Sequence, residues 1–214
     1  MAAIFDWHVN VTLQGLIAEF AASAPLFRIL FRKDDDEAGI PNAIIDGWHT
    51  ELFPGGSVEH LALRQAFDTQ KPRVVQITIK SQSDGAEEQP LGFGGMDPDV
   101  AEMLSIETVQ LTCHAPNHGL LVAISTLVAG CMMAGRKTFE RAGHHGLEYG
   151  GASDISPEER MILPDAFGAF ARSQTWRAGA HQTAPITSGL KALAAFVHSA
   201  TVTVSGTQGG VTPQ

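Results

Sequence analysis

The sequence predicts an α+β protein: a mixed, mainly antiparallel sheet backed by a long helix and shorter helices. Three observations carry this reading. Residues 105–113 alternate, with Glu107, Val109, Leu111 and Cys113 on one face and Thr108, Gln110 and Thr112 on the other, the period of a strand with one buried face. Directly after it, Leu120, Leu121, Ile124, Leu127, Val128, Cys131, Met132 and Phe139 recur at steps of three and four, the apolar stripe of a helix over 118–142. Further β-rich runs flank this pair, at 73–80, where Val75, Ile77 and Ile79 share a face, and at 201–205 (TVTVS).

The ends of the long helix are written in its flanks. Pro116 and Asn117 break the strand, and Asn117 can cap a helix that starts at His118. Arg136, Lys137 and Arg141 crowd the last turns, where cations suit the negative end of the helix dipole, and Gly143 can close it. Such a helix would be roughly 35 Å long, enough to cross a small sheet.

The remaining elements follow in chain order. Thr12 to Ser23 reads as a short amphipathic helix, with Leu13, Leu16, Ile17 and Phe20 on one side and Pro25 ending it. Phe27, Ile29 and Phe31 alternate with Arg28, Leu30 and Arg32, so a strand is expected at 26–32. Lys33 to Gly39 is an acidic loop without the ligand spacing of a calcium site. Residues 41–56 read as irregular, anchored by Trp48, His49 and Phe53, and Ser57 caps an expected helix bearing Val58, Leu61 and Ala62.

After the strand at 73–80, residues 81–98 form a long Gly-, Pro- and acid-rich excursion, the kind of loop that is either mobile or given over to contact, with Leu91, Phe93 and Met96 as candidate subunit-contact residues. Beyond the long helix come a short strand near 144–153, a helical turn within 154–164, an extended run at 167–181, a short helix near 188–196 and the strand at 201–205. Composition nowhere divides the chain into two equal cores. The expected organisation is one domain over 1–205, with 1–60 as an N-terminal extension packed on it and 206–214 as a flexible tail.

Composition narrows the function. A hydrophobic fraction of 44% with 17% charged residues over 214 residues suits a soluble globular chain. No apolar run reaches the about 18 residues of a membrane span, and the first residues lack the basic start and apolar core of a signal peptide. The chain is therefore expected to stay in the cytoplasm of the cell that makes it. Cys113 and Cys131 are the only cysteines, both on faces expected to be buried and reduced. A net charge of -9 opposes wrapping nucleic acid and suits a surface that DNA slides past.

The chemically suggestive groups each have a plain structural explanation. His114 and His118 lie four apart but straddle the Pro116-Asn117 break, without the glutamate of a zinc helix. His144 and His145 lie at the far end of the long helix, too distant to join them. Cys113 and His114 are neighbours on a strand and point to opposite faces. GFGG lacks the spacing of a nucleotide fingerprint, and no GxSxG elbow occurs. Asp154, Glu158 and Glu159 read as a helix-start cluster, and Phe170, Arg172 and Trp176 as a packed strand rather than a base-stacking platform. No catalytic, cofactor or metal residue is assigned.

The order of elements then resembles a known family. A strand (Arg73–Lys80), a long acidic loop, a strand (Ser105–Cys113), a long helix, a short strand, a proline-flanked turn ending at Pro164 and a long strand from Phe167 are similar to the layout of tail-terminator proteins of tailed bacteriophages, also called neck or tail-completion proteins. The resemblance covers residues 70–205 and rests on the strand running into the apolar helix. It implies a homo-oligomeric ring, usually hexameric, at the head-proximal end of the tail tube, joining tail to head connector. Its implied partners are copies of itself, tail-tube and head-connector proteins and, where present, sheath, with DNA passing through unread and no membrane. It implies a virion protein, not an enzyme, without a cofactor. The alternatives are a metal-dependent hydrolase using His114 and His118, and another phage connector or baseplate subunit.

Overall fold

The computed structural model describes residues 3–32, 39–71, 73–82, 89–93, 100–154, 156–157 and 170–185. Among the described residues the α-helices are α1 (Ala3–Ala22), α2 (Ala24–Ile29), α3 (Asn42–Leu52), α4 (His118–Ala134) and α5 (Arg136–Arg141). The strands are β1 (Gln76–Gln82), β2 (Gln89–Phe93), β3 (Val100–Ala115), β4 (His144–Ala152), β5 (Ser156–Pro157) and β6 (Phe170–Pro185). The chain forms two compact units, residues 1–87 with 106–180 and residues 88–105 with 181–214.

In the first unit an antiparallel sheet runs in the order β1-β3-β6-β4, with helices packed on it, the α+β architecture expected. Ile77 and Ile79 of β1 sit opposite Cys113 and Leu111 of β3, so their side chains share the face turned to the core. Gln174 on β6 donates its side-chain amide to the Ser125 carbonyl of α4 at 2.6 Å, which fixes that same face as the one α4 covers. The opposite face is polar: Gln76, Thr78, Thr112 and His114 line it, and Thr112 Oγ1 lies 2.8 Å from Ser173 Oγ.

The strand-to-helix unit forms as its sequence predicts. The Asn117 side chain accepts from the Leu120 N–H at 2.8 Å and starts α4. Helix α4 is buried on several sides because the sheet, α1 and α3 all pack on it. The single helix expected over 118–142 is divided at Gly135, and α5 turns onto β4. A Cβ at Gly135 would lie 2.7 Å from Thr12 Cγ2 and 3.1 Å from the Phe139 ring, so glycine permits the close approach of α1 at the bend. Gly143, at φ +90°, then closes α5 in the left-handed region.

Several expectations are corrected. The strand expected at 26–32 is helix α2. Ser23 caps it by accepting from the Leu26 N–H at 3.3 Å, and Pro25 sits in the first turn, where a missing N–H costs nothing. Phe27, Leu30 and Phe31 then share a helical face on the core, while Ile29 is exposed. Residues 41–56, read as irregular, hold α3, which packs Ile45, Trp48 and Leu52 inward despite Gly47. The helix expected from Ser57 is a single 3₁₀ turn, Glu59–Leu61, followed by a parallel bridge from Arg64 to Thr78. Arg64 N–H donates to the Ile77 carbonyl and the Ile79 N–H to the Arg64 carbonyl, at 3.0 and 2.8 Å. That backbone is thus used to cover the free edge of β1.

The first helix also begins earlier than expected, at Ala3, and buries Phe5, Val9, Leu13, Ile17 and Phe20 in the core shared with α4 and the sheet. At the other sheet edge, β4 shifts register against β6 at two places, where Gly146 and Gly151 take positive φ.

In the second unit, β2 pairs antiparallel with the start of β3, Gln89 opposite Leu104 and Phe93 opposite Ala101. The excursion at 81–98 therefore contains a strand, tolerant of Pro90 because a strand paired on one side needs no ladder N–H there. The short helix near 188–196, the strand at 201–205, the tail at 206–214 and most of 154–164 lie outside the described residues; Ser156 and Pro157, within the last, pair with Ala171 and Phe170.

Candidate functional site

The residues singled out in the sequence do not converge. His114 is buried on the polar face of the sheet, its Nε2 3.3 Å from Thr78 Oγ1 and its ring 4.6 Å from that of Phe67. His118 is exposed at the first turn of α4. Cys113 and Cys131 are free and buried, and burial pushes both thiols up to about 12, which leaves them poor nucleophiles at neutral pH. Leu91 and Phe93 lie in β2, and Met96 falls outside the described residues. Phe170, Arg172 and Trp176 share a strand face, and Trp176 is buried against Tyr149, with ring centroids 4.9 Å apart.

The structure instead assembles a polar cluster where α1 meets the sheet. Glu107 is buried on the face of β3 that carries Val109, Leu111 and Cys113, and among the described side chains of that face it is the charged one. The two strands β3 and β4 flank β6, and the residue opposite His144 on β6 is Ala180, whose small side chain leaves room above it. Across that gap His144 Nδ1 comes within 3.6 Å of Glu107 Oε2. His144 Nε2 lies 2.7 Å from Nδ1 of His8 on α1, and the ring is held against Phe5 at a centroid distance of 4.7 Å. Asp6, two residues before His8, accepts from the hydroxyl of Ser81 on β1.

Burial dominates the electrostatics. It raises Asp6, partly offset by the Ser81 hydrogen bond, and it raises Glu107, to which the nearby Asp6 charge adds. It lowers His144 to about 4, helped by His8 and His145. With the imidazole neutral at pH 7, the 3.6 Å contact to Glu107 is a polar contact rather than an ion pair. Asp6 Oδ1, Asn10 Oδ1, Glu107 Oε2 and His144 Nδ1 have no hydrogen-bond partner, so the seam is incompletely satisfied. Among the described residues no group of three His, Cys, Asp or Glu is arranged to hold a metal ion. The cluster gathers groups that can take up protons, joined by the separate His8–His144 and Asp6–Ser81 hydrogen bonds. One sequence signal pointed to it: a carboxylate in register with an apolar strand face.

A second feature is a half-open depression of about 350 Å³ bordered by Ser57, His60, Arg64, Lys71 and Gln76. Two of its polar side chains are already engaged. Arg64 pairs with Asp68 at 3.0 Å, and the Gln76 amide binds the Asp68 and Lys71 carbonyls. A third is a set of exposed apolar side chains, Trp7 and Val11 on α1, Met133 on α4 and Tyr149 on β4. Among the described residues no helix is long and apolar enough to cross a membrane.

The fold and these features define an α+β protein with an antiparallel sheet, a helical layer and an internal carboxylate–imidazole seam. No protein-family model matches the chain, and no curated protein matches it in sequence.

Proposed function

We propose that this chain is a structural virion protein, a tail terminator that forms a ring at the head-proximal end of a phage tail tube and joins the tail to the head connector. The observation that carries the reading is the order β1, β3, α4, β4, β6, in which a long strand runs through Pro116 and Asn117 into a buried helix and antiparallel strands follow. That is the part of the chain that resembles the family. Exposed Trp7, Met133 and Tyr149 supply apolar surface of the kind that subunit contacts cover. The net charge of -9 suits a channel through which DNA passes without being held.

In this reading the copies pack as a hexameric ring, and Leu91 and Phe93 of β2 belong to the contact surface. The neighbours are tail-tube and head-connector proteins, and the place of action is the neck of the virion. The test is sedimentation of the purified chain, alone and with tail tubes, followed by imaging of the particles. A closed ring that caps tube ends is expected. A monomer at every concentration that leaves tube ends bare overturns the reading.

A further inference from the structure

His8 and His144 face each other nitrogen to nitrogen at 2.7 Å. A gap of that length holds one hydrogen, so one ring donates and the other accepts. Two protonation patterns satisfy it. With Glu107 ionised, His144 carries its hydrogen on Nδ1 toward the carboxylate and accepts from His8; with Glu107 protonated, the pattern reverses. Either way the His8–His144 contact keeps its one hydrogen, while Glu107, at 3.6 Å from Nδ1, biases the pattern through charge without a hydrogen bond. Once both rings are imidazolium, both facing nitrogens carry hydrogens. The contact then turns repulsive, in a seam where His144 is 3% exposed.

The two rings belong to different elements, His8 to the second turn of α1 and His144 to the first residue of β4. We propose that the His8–His144 contact is a proton-released latch, which holds the first turns of α1 on the sheet at neutral pH and frees them in acid.

The groups facing His144 decide whether release wins. Glu107 from β3 would attract an imidazolium, whereas His8 from α1 and His145 from β4 repel it, and Asp6 from α1 acts on Glu107. Ser81 from β1 holds Asp6, and among the described side chains β6 places Ala180 opposite His144. Helix α5 packs there through Phe139, with its charged residues Arg136, Lys137, Glu140 and Arg141 exposed. The amino-terminal charge acts on Glu107 against the other two influences. Burial raises both carboxyls above their ordinary values, which weakens the counter-charge they offer as pH falls. A histidine lowered from 6.5 to about 4 contributes stability above 6.5 and loses it as pH falls toward 4, which sets the window for release.

The test is hydrogen–deuterium exchange of the full chain, corrected for intrinsic rates, comparing a peptide over 3–12 with one over 120–132 in α4. Between about pH 7 and about pH 4.5, protection of the α1 peptide is expected to fall about tenfold or more while α4 holds. His144→Gln cannot be protonated and can still accept from His8, so its α1 protection is expected to stay within about twofold over the same range. His8→Gln removes the facing ring but leaves His144 buried and titratable, so its fall in α1 protection is expected to be smaller than that of the wild type, and it serves if the first variant does not fold. Protection of α1 that is independent of pH, α1 and α4 losing protection together, or variants that keep the wild-type profile overturn the latch.

Discussion

Gln174 on β6 and Ser125 on α4 are joined by a forked contact: the Gln174 amide nitrogen donates to the Ser125 carbonyl at 2.6 Å and to its hydroxyl at 2.8 Å. Both residues are 2% exposed, so water cannot replace what a substitution removes. Ser125→Ala leaves the carbonyl contact and is expected to cost about 1 kcal/mol. Gln174→Ala also opens a void and is expected to cost about 2–3 kcal/mol. Denaturant unfolding of the two single variants and the double gives the order. Equal losses would mean that the carbonyl contact contributes nothing.

The bend between α4 and α5 predicts a difference between two glycines. A Cβ at Gly135 meets Thr12 Cγ2 at 2.7 Å and Phe139 Cε2 at 3.1 Å, whereas one at Gly130 meets Leu30 Cδ2 at 2.5 Å. The Leu30 tip can swing aside, but Phe139 is a buried ring and Thr12 is branched at Cβ. Gly135→Ala is expected to destabilise by about 1–3 kcal/mol and Gly130→Ala by less. Thermal melts of both variants decide it, and the reverse order would show that the junction yields more readily than the α2–α4 contact.

The cap of α4 is open to a direct measurement. Asn117 is exposed, so its side chain matters through the one bond it accepts from Leu120 N–H. Asn117→Ala is expected to cost about 1 kcal/mol, and Asn117→Asp to retain the wild-type stability near neutral pH. If alanine is as stable as asparagine, solvent caps the helix equally well.

The polar seam predicts two pH profiles of opposite sign. Glu107 is raised above its ordinary 4.5 by burial and then by Asp6, so its stability cost appears as pH rises through and above 4.5. Glu107→Gln should therefore gain on the wild type as pH increases. His144 is lowered from 6.5 to about 4, so its cost appears as pH falls through that interval, and His144→Gln should gain on the wild type in acid. Urea unfolding across this range tests both, and parallel profiles would remove burial as the cause.

The ring reading predicts that charge on exposed apolar positions blocks assembly without unfolding the subunit. Trp7→Glu, Met133→Glu and Tyr149→Glu each alter a side chain at least half exposed; the first two should change stability by less than about 0.5 kcal/mol, whereas the third also uncovers Trp176 and should cost about 1 kcal/mol. Loss of the large species in sedimentation, with an unchanged melt, is the expected result for at least one. Full assembly by all three would clear α1, α4 and β4 of any part in the contact surface.

The local rules that operate within a few residues were legible in the chain. The alternation of Val109, Leu111 and Cys113, the Asn117 cap, the α4 stripe and the Gly143 stop all hold, because each depends on backbone geometry that neighbours in sequence control. The 26–32 segment misled because Phe27, Ile29 and Phe31 satisfy a strand pattern while Ser23 and Pro25 satisfy a helix start, and packing on α1 and α3 favours the helix.

By itself the sequence determined the α+β class, the central strand and helix, the burial of both cysteines and the acidic balance. Only the tertiary structure decided that Asp6 and His8 meet Ser81, Glu107 and His144. Those five residues are scattered from position 6 to position 144, and no periodicity joins them. They meet because α1 lies on the sheet and β6 places a small Ala180 opposite His144, and both facts belong to packing between distant segments.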